Sequence, residues 1–185
     1  SPFYYNNIFI SVIIPVYNNK TGISKVLNAL LNQTLHSSLY EIVVCDNASS
    51  DNTKEILEEY VHKYPGIIRI VIENNKMGSY AARNKAVSYA KGSVLAFTDS
   101  DCIPGKHWLE RAIAKTKSHD GNVVAGGPII LFFKDKDKRS LLELYESIFA
   151  FQVKKYIEKD NFVPTANLIT TRKVFEKVGP FNDEL

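Results

Sequence analysis

Ile8-Phe9-Ile10-Ser11-Val12-Ile13-Ile14, followed at once by Pro15-Val16-Tyr17-Asn18, is the stretch from which the fold can be read. Its leading residues are almost all apolar and mostly β-branched, without the polar alternation of a half-exposed strand. Such a run is a strand buried on both faces, as in a sheet covered by helices on two sides. Pro15 has no N–H for a ladder and is expected to stop the strand.

The pattern repeats outward from there. Ile23, Val26, Leu27, Leu30 and Leu31 recur at helical spacing, with Thr21 as the expected cap. Residues 40–45 form a second buried strand. After a polar turn from Asp46 to Asn52, Ile56, Leu57, Tyr60, Val61 and Tyr64 stripe a second helix, which Pro65-Gly66 ends. A strand is expected over 67–72, a small-residue helix over 79–91 closed by Gly92, and a strand over 93–98. A helix over 106–118, carrying Trp108, Leu109, Ala112 and Ile113 on one side, and a strand over 122–125 follow. Strands alternating with helices through short loops make βαβ units. The expected class is therefore α/β, with a mainly parallel, Rossmann-like sheet flanked by helices. Past Gly127 the regularity fades. An alternating charge run over 134–139 reads as a solvated loop, and 140–158 as a helix with a broad apolar face. A strand over 167–170 precedes a short helix capped by Thr171 and ended by Gly179.

The chain has 185 residues, 45% of them hydrophobic and 11% aromatic, with a formal net charge of +3. That describes one domain with a sizeable core, and it argues against disorder. The small net charge, with no basic stripe interleaved with aromatics, argues against nucleic-acid binding. No apolar run reaches the length of a membrane span and no signal peptide is recognisable, so a cytoplasmic protein is expected. The two cysteines, Cys45 and Cys102, make neither a disulfide framework nor a zinc site, and are expected to be spectators. The four histidines show no metal-ligand spacing.

In open α/β sheets, ligands bind at the carboxyl ends of the strands. Those ends carry Pro15-Val16-Tyr17-Asn18, Asp46-Asn47-Ala48-Ser49-Ser50-Asp51 and Thr98-Asp99-Ser100-Asp101. Neither a Gly-x-Gly-x-x-Gly fingerprint nor a P-loop is present, which disfavours dinucleotide binding and P-loop chemistry. Asp99 and Asp101, two apart, would face the same way in an extended segment. Hard carboxylate oxygens so placed suit Mg²⁺ or Mn²⁺, although a plain polar loop has the same spacing. Arg83, early in the helix after Gly78, is placed to meet a diphosphate, or is an exposed surface arginine. Asp46 could equally cap its own turn.

Together these residues resemble the signatures of the family-2 glycosyltransferases, inverting enzymes of GT-A fold. The resemblance lies in Ile13-Ile14-Pro15-Val16-Tyr17-Asn18, in residues 43–53, in Gly78-Ser79-Tyr80-Ala81-Ala82-Arg83-Asn84-Lys85-Ala86 and in Phe97-Thr98-Asp99-Ser100-Asp101. It covers roughly the first 130 residues well, with weaker echoes beyond. It implies that Pro15 and Tyr17 line a nucleotide pocket with Asn18 nearby, and that Asp46 accepts from the base, typically uracil. Arg83 would lie near the diphosphate, and Asp99 with Ser100 would hold the nucleotide sugar or assist the metal. Asp101 would coordinate the divalent ion, Mn²⁺ or Mg²⁺. The implied reaction moves a sugar, with inversion, from a nucleotide diphosphate sugar to a hydroxyl of a saccharide or lipid-linked acceptor. Polysaccharide or glycoconjugate assembly is the usual setting. Residues 1–127 would be the nucleotide-sugar half and 128–185 the start of an acceptor half, with the general base expected beyond Leu185. The apolar face over 141–151 would pack on further sequence or make peripheral contact with a membrane. A sugar nucleotidyltransferase, or a nucleotide-binding module without catalysis, remains as the alternative.

Overall fold

The computed structural model of the protein describes residues 9–130 and 163–182. Six strands form one sheet in the order β3-β2-β1-β4-β6-β5. They are β1 (Ile10–Val16), β2 (Tyr40–Asp46), β3 (Ile68–Ile72), β4 (Val94–Phe97), β5 (Val124–Gly126) and β6 (Leu168–Thr171). β1 runs parallel to β2 and β4, and β2 parallel to β3. β6 runs antiparallel to both β4 and β5, so the sheet is mixed. Residues after 163 thereby complete the same sheet that the N-terminal half begins. The helix expected over 140–158 and the charge run over 134–139 lie outside the described residues.

Both faces are covered, as the apolar strands demand. Ile10, Val12, Ile14 and Val16 of β1 point to the layer of helices α1 (Lys20–Leu31), α2 (Thr53–Lys63) and α4 (Trp108–Lys117). Ile13, Val43, Leu95 and Phe97 point to the opposite face, under α3 (Ser79–Tyr89) and α5 (Arg172–Val178). That alternation is the period of two in a strand. Ala81, Ala82 and Ala86 are buried on α3, and their small size lets the helix lie close on the sheet.

Several element ends differ from the sequence reading by one or two residues, and three differences have a local cause. β1 does not stop at Pro15 but runs on to Val16, with Pro15 opposite Cys45. Ile13 O accepts from Thr98 N, so the odd residues of β1 face β4, and that ladder ends at Ile13–Phe97. Pro15 therefore lies where no N–H is required. The cap of α1 is Asn19, whose Oδ1 accepts from Gly22 N at 2.9 Å, and Thr21 sits inside the helix. α3 ends at Tyr89, two residues short of the expected end. Arg172 donates to Ala90 O and Gly92 O there, satisfying carbonyls the helix leaves open.

At the end of the sheet remote from the strand carboxyl termini, Ser11 Oγ donates to buried Glu41 and accepts from Gly92 N at 2.7 Å. A Cβ on Gly92 would stand 2.5 Å from Ser11 N and 2.8 Å from Phe9 O, both backbone. Gly92→Ala is therefore expected to cost about 2–3 kcal/mol, because neither atom can move without shifting β1. Urea unfolding of the variant measures this, and an unchanged midpoint would refute the close approach.

Candidate functional site

The chain runs β1, β2, β3 in one direction across the sheet, then α3 carries it back to place β4 on the other side of β1. The crevice between the carboxyl ends of β1 and β4 is the switch point, where open α/β sheets bind ligands. A cavity of about 360 Å³ opens there. The sequence-derived candidates Pro15, Tyr17, Arg83, Asp99, Ser100 and Asp101 all line it. Asn47, Met77, Gly78 and Ser79, which the sequence reading did not assign to the site, complete much of the wall.

Arg83 is not a surface arginine. Its side chain is 8% exposed and its Nη2 lies 2.5 Å from Asp99 Oδ1. Nη1 donates to Ser79 Oγ at 2.9 Å, and its buried Nε has no hydrogen-bond partner among the described residues. The small-residue face of α3 makes room for so large a side chain beside the sheet. Gly78 begins the helix at φ +125°, a conformation that glycine adopts without strain.

Asp99 and Asp101 do not sit in an extended segment. Cys102 N donates to Asp99 O at 3.1 Å, so residues 99–102 form a tight turn. The turn gathers ligand atoms of Asp99, Asp101 and Cys102 within 4.8 Å of one another. Burial pushes the Cys102 thiol up to about 11, so at neutral pH it stands beside the carboxylates uncharged and is a poor nucleophile. Burial likewise pushes Cys45 up to about 12 inside the core. The donor atoms the turn gathers are two hard carboxylates and one thiol. They fit a small hard divalent ion better than a thiophilic one. Asn19 ties the turn to α1, donating from Nδ2 to Ser100 O and Oγ at 3.1 Å.

Asn18 and Asp46 are not among the residues lining the cavity; they shape the loop beside it. Asn18 Oδ1 accepts from Ser50 N at 2.7 Å and Asp51 N at 3.2 Å, and Asn18 N donates to Ser49 Oγ. Asp46 is buried and its Oδ1 accepts from Ser49 N at 3.2 Å, the turn-capping role its residue type allows. Hydrogen bonds from Thr53 hold the Asp51 carboxyl below its ordinary value. Asn47 bridges further: Nδ2 donates to Glu73 O and Lys76 O at 2.8 Å, and Oδ1 accepts from Gly78 N at 2.7 Å. Only its place next to Asp46 could have marked it in the sequence. Trp108 packs on the core and donates to Asn167 Oδ1, a structural role. Among the described residues, no helix is long and apolar enough to cross a membrane.

Comparison with known proteins bears on the family and the fold. The family model described as Glycosyl transferase family 2 matches residues 11–179. Glycosyltransferase AglE of Haloferax volcanii is 42% identical over 177 residues, which is 96% of this chain and 57% of that protein. A poly(ribitol-phosphate) beta-glucosyltransferase of Bacillus spizizenii is 38% identical over 117 residues, 63% of this chain and 18% of that protein. The chain therefore spans little more than half the length of the first of these relatives and less of the second. Staphylococcus aureus TarS 1-349, solved in complex with UDP, matches with a TM-score of 0.73 at 27% identity, over 96% of this chain and 51% of that one. The mannosyltransferase PcManGT from Pyrobaculum calidifontis, solved with GDP-Man and Mn²⁺, shares the fold at a TM-score of 0.74 and 21% identity, over 100% of this chain and 50% of that one. With the fold, the switch-point cavity and a match over most of its length in agreement, the chain belongs to glycosyl transferase family 2.

Proposed function

We propose that the cavity binds a nucleotide diphosphate sugar, a UDP-sugar by preference, and that the protein transfers the sugar with inversion to a hydroxyl of a saccharide or lipid-linked acceptor, in polysaccharide or glycoconjugate synthesis. The observation that carries this is the pairing of buried Arg83 with Asp99 at the switch point, with Asp101 on the adjoining turn. The pair presents a fixed cation and an acidic turn to one small volume, as a diphosphate and its counter-ion require. The UDP complex of TarS supports the choice of base.

Pro15 and Tyr17 take the nucleoside side of the cavity in this reading, and Arg83 the diphosphate. Asp99 orients Arg83 and keeps its second oxygen for the donor or the ion, with Ser100 beside it. Asn18 and Asp46 act through the loop they hold. Asp101, with Asp99, would hold a divalent ion, Mn²⁺ or Mg²⁺. Such an ion, when bound, supplies positive charge against which a diphosphate leaves. None of the described residues is assigned as general base.

Thermal unfolding with UDP, GDP and dTDP, each with and without Mn²⁺, tests the reading on wild type and Asp101→Ala. A ligand at a hundred times its dissociation constant stabilises by about 2.7 kcal/mol. In a domain of this size that raises the midpoint by roughly 5–10 °C. The expected result is a UDP shift that needs Mn²⁺ and is lost in Asp101→Ala. No shift with any of the three nucleotides would overturn the proposal.

A further inference from the structure

The residue after Arg83 holds a distant part of the chain. Asn84 Nδ2 donates to Phe181 O at 2.8 Å, and Phe181 N donates to Asn84 Oδ1 at 2.9 Å. A carboxamide has one donor and one acceptor side by side, which matches the N–H and C=O of a single extended residue. The Phe181 ring reaches back to the same helix, with the Arg83 guanidinium carbon 6.0 Å from its centroid. The ring also stands edge-on to Phe97, centroids 5.3 Å apart at 86°, and packs on Phe175 at 5.7 Å. Phe97 ends β4, two residues before Asp99.

These contacts close a circuit. Asn84 fixes the Phe181 backbone, the Phe181 ring supports both Arg83 and Phe97, and the strand ending at Phe97 presents Asp99 to Arg83. Arg83 needs such support, because the described residues hold its guanidinium by Ser79 and Asp99 on the Nη atoms alone. A guanidinium whose Nε makes no hydrogen bond to the described residues keeps some freedom to tilt about its Nη contacts, which it loses on binding an anion.

We propose that Asn84 and Phe181 are positioning residues for Arg83, fixing its guanidinium so that the cavity is preformed for a diphosphate. The ligand half of this proposal rests on the nucleotide reading above, and the positional half does not. The direct measurement is the NMR signal of the Arg83 side-chain Nε–Hε group, without ligand, in wild type, Asn84→Ala, Asn84→Asp and Phe181→Tyr. In wild type the heteronuclear NOE of this group is expected to match the backbone. It should fall clearly below the backbone in Asn84→Ala, though not to the level of a free side chain because Asp99 and Ser79 still hold the Nη atoms, and fall less in Asn84→Asp, which keeps the acceptor alone. In Phe181→Tyr, which keeps the ring and the backbone bonds, it should stay at the wild-type level. An unchanged signal in folded Asn84→Ala or Asn84→Asp overturns the proposal, whatever nucleotides do.

The second measurement is UDP affinity with Mn²⁺ in a cycle of Arg83→Ala, Asn84→Ala and the double variant. Asn84→Ala is expected to weaken UDP about tenfold, the loss that one or two misplaced charge-assisted hydrogen bonds produce. The double variant should bind no worse than Arg83→Ala alone, because Asn84 acts through Arg83. Losses that add in full would overturn the proposal, since a merely structural role predicts addition. A wild type that binds no nucleotide, together with the expected NMR result, would leave the positioning intact and remove the nucleotide reading.

Discussion

Asp99→Ala is expected to destabilise the protein by about 3 kcal/mol, whereas Asp101→Ala, two residues along, should change stability by less than about 0.5 kcal/mol. The two carboxylates look interchangeable in sequence, and the fold treats them differently. Asp99 faces a guanidinium that is 8% exposed, and its own side chain is 30% exposed. Removing it leaves a buried positive charge whose one remaining hydrogen-bond partner among the described residues is Ser79 Oγ. Breaking a buried pair in this one-sided way costs roughly 3–5 kcal/mol, and the partial access of water to Asp99 places the loss at the lower end. Asp101 is exposed and, among the described residues, is paired with no buried cation; the Cys102 thiol donates to its Oδ1 at 3.7 Å. Asp99→Asn keeps an acceptor for Nη2 while losing the charge, so it should fall between the two. Urea denaturation of the three variants measures this directly. Equal losses for Asp99→Ala and Asp101→Ala would show that the ion pair does not hold Arg83 in solution. The contrast also bears on the proposed function, because it separates a carboxylate that builds the cavity from the one proposed to hold the ion.

What the sequence made legible follows from the range of the forces involved. The buried strands could be read because burial on two faces selects apolar, β-branched residues at consecutive positions. The Asp-x-Asp loop could be placed at a strand end because the apolar run before it stops there, whereas its spacing alone is shared with plain polar loops. Arg83 was harder. α3 buries alanines rather than a leucine stripe, so nothing in its periodicity shows that an arginine lies on the covered face. The shape of residues 99–102 was misjudged because side-chain spacing carries no information on whether a loop is extended or turned. β6 was expected as a strand, but its place between β4 and β5, and its antiparallel sense, depend on partners far away in the chain. The same holds for Asn84 and Phe181, 97 positions apart. Local pattern identifies an element, and only the closed chain says what it touches.

Asn47 is the clearest case of a side chain whose weight the sequence hides, and its removal should be as costly as that of Asp99. Beside Asp46 it reads as one more turn-forming residue. In the fold it is 3% exposed and supplies both donors and its acceptor to one segment, reaching Glu73 O, Lys76 O and Gly78 N at 2.7–2.8 Å. Those three backbone groups belong to the loop that brings Met77 and Gly78 to the cavity wall and starts α3. A loop has no ladder of its own, so without Asn47 two carbonyls and an N–H lose their partners at once. At about 1 kcal/mol for each net hydrogen bond, Asn47→Ala is expected to cost about 3 kcal/mol. The same variant should lose most of the UDP shift at temperatures where it is still folded, because one wall of the cavity is no longer held. Asn47→Asp is the sharper probe. An ionised carboxylate there still accepts from Gly78 N but turns an acceptor toward two carbonyls. Its protonated form recovers one donor. The deficit against wild type should therefore be full at neutral pH and narrow as the pH falls into the carboxylate range, about pH 4. Stability measured against pH in urea reads this sign, and a deficit that widens on acidification would mean that Asn47 does not hold the loop through its amide.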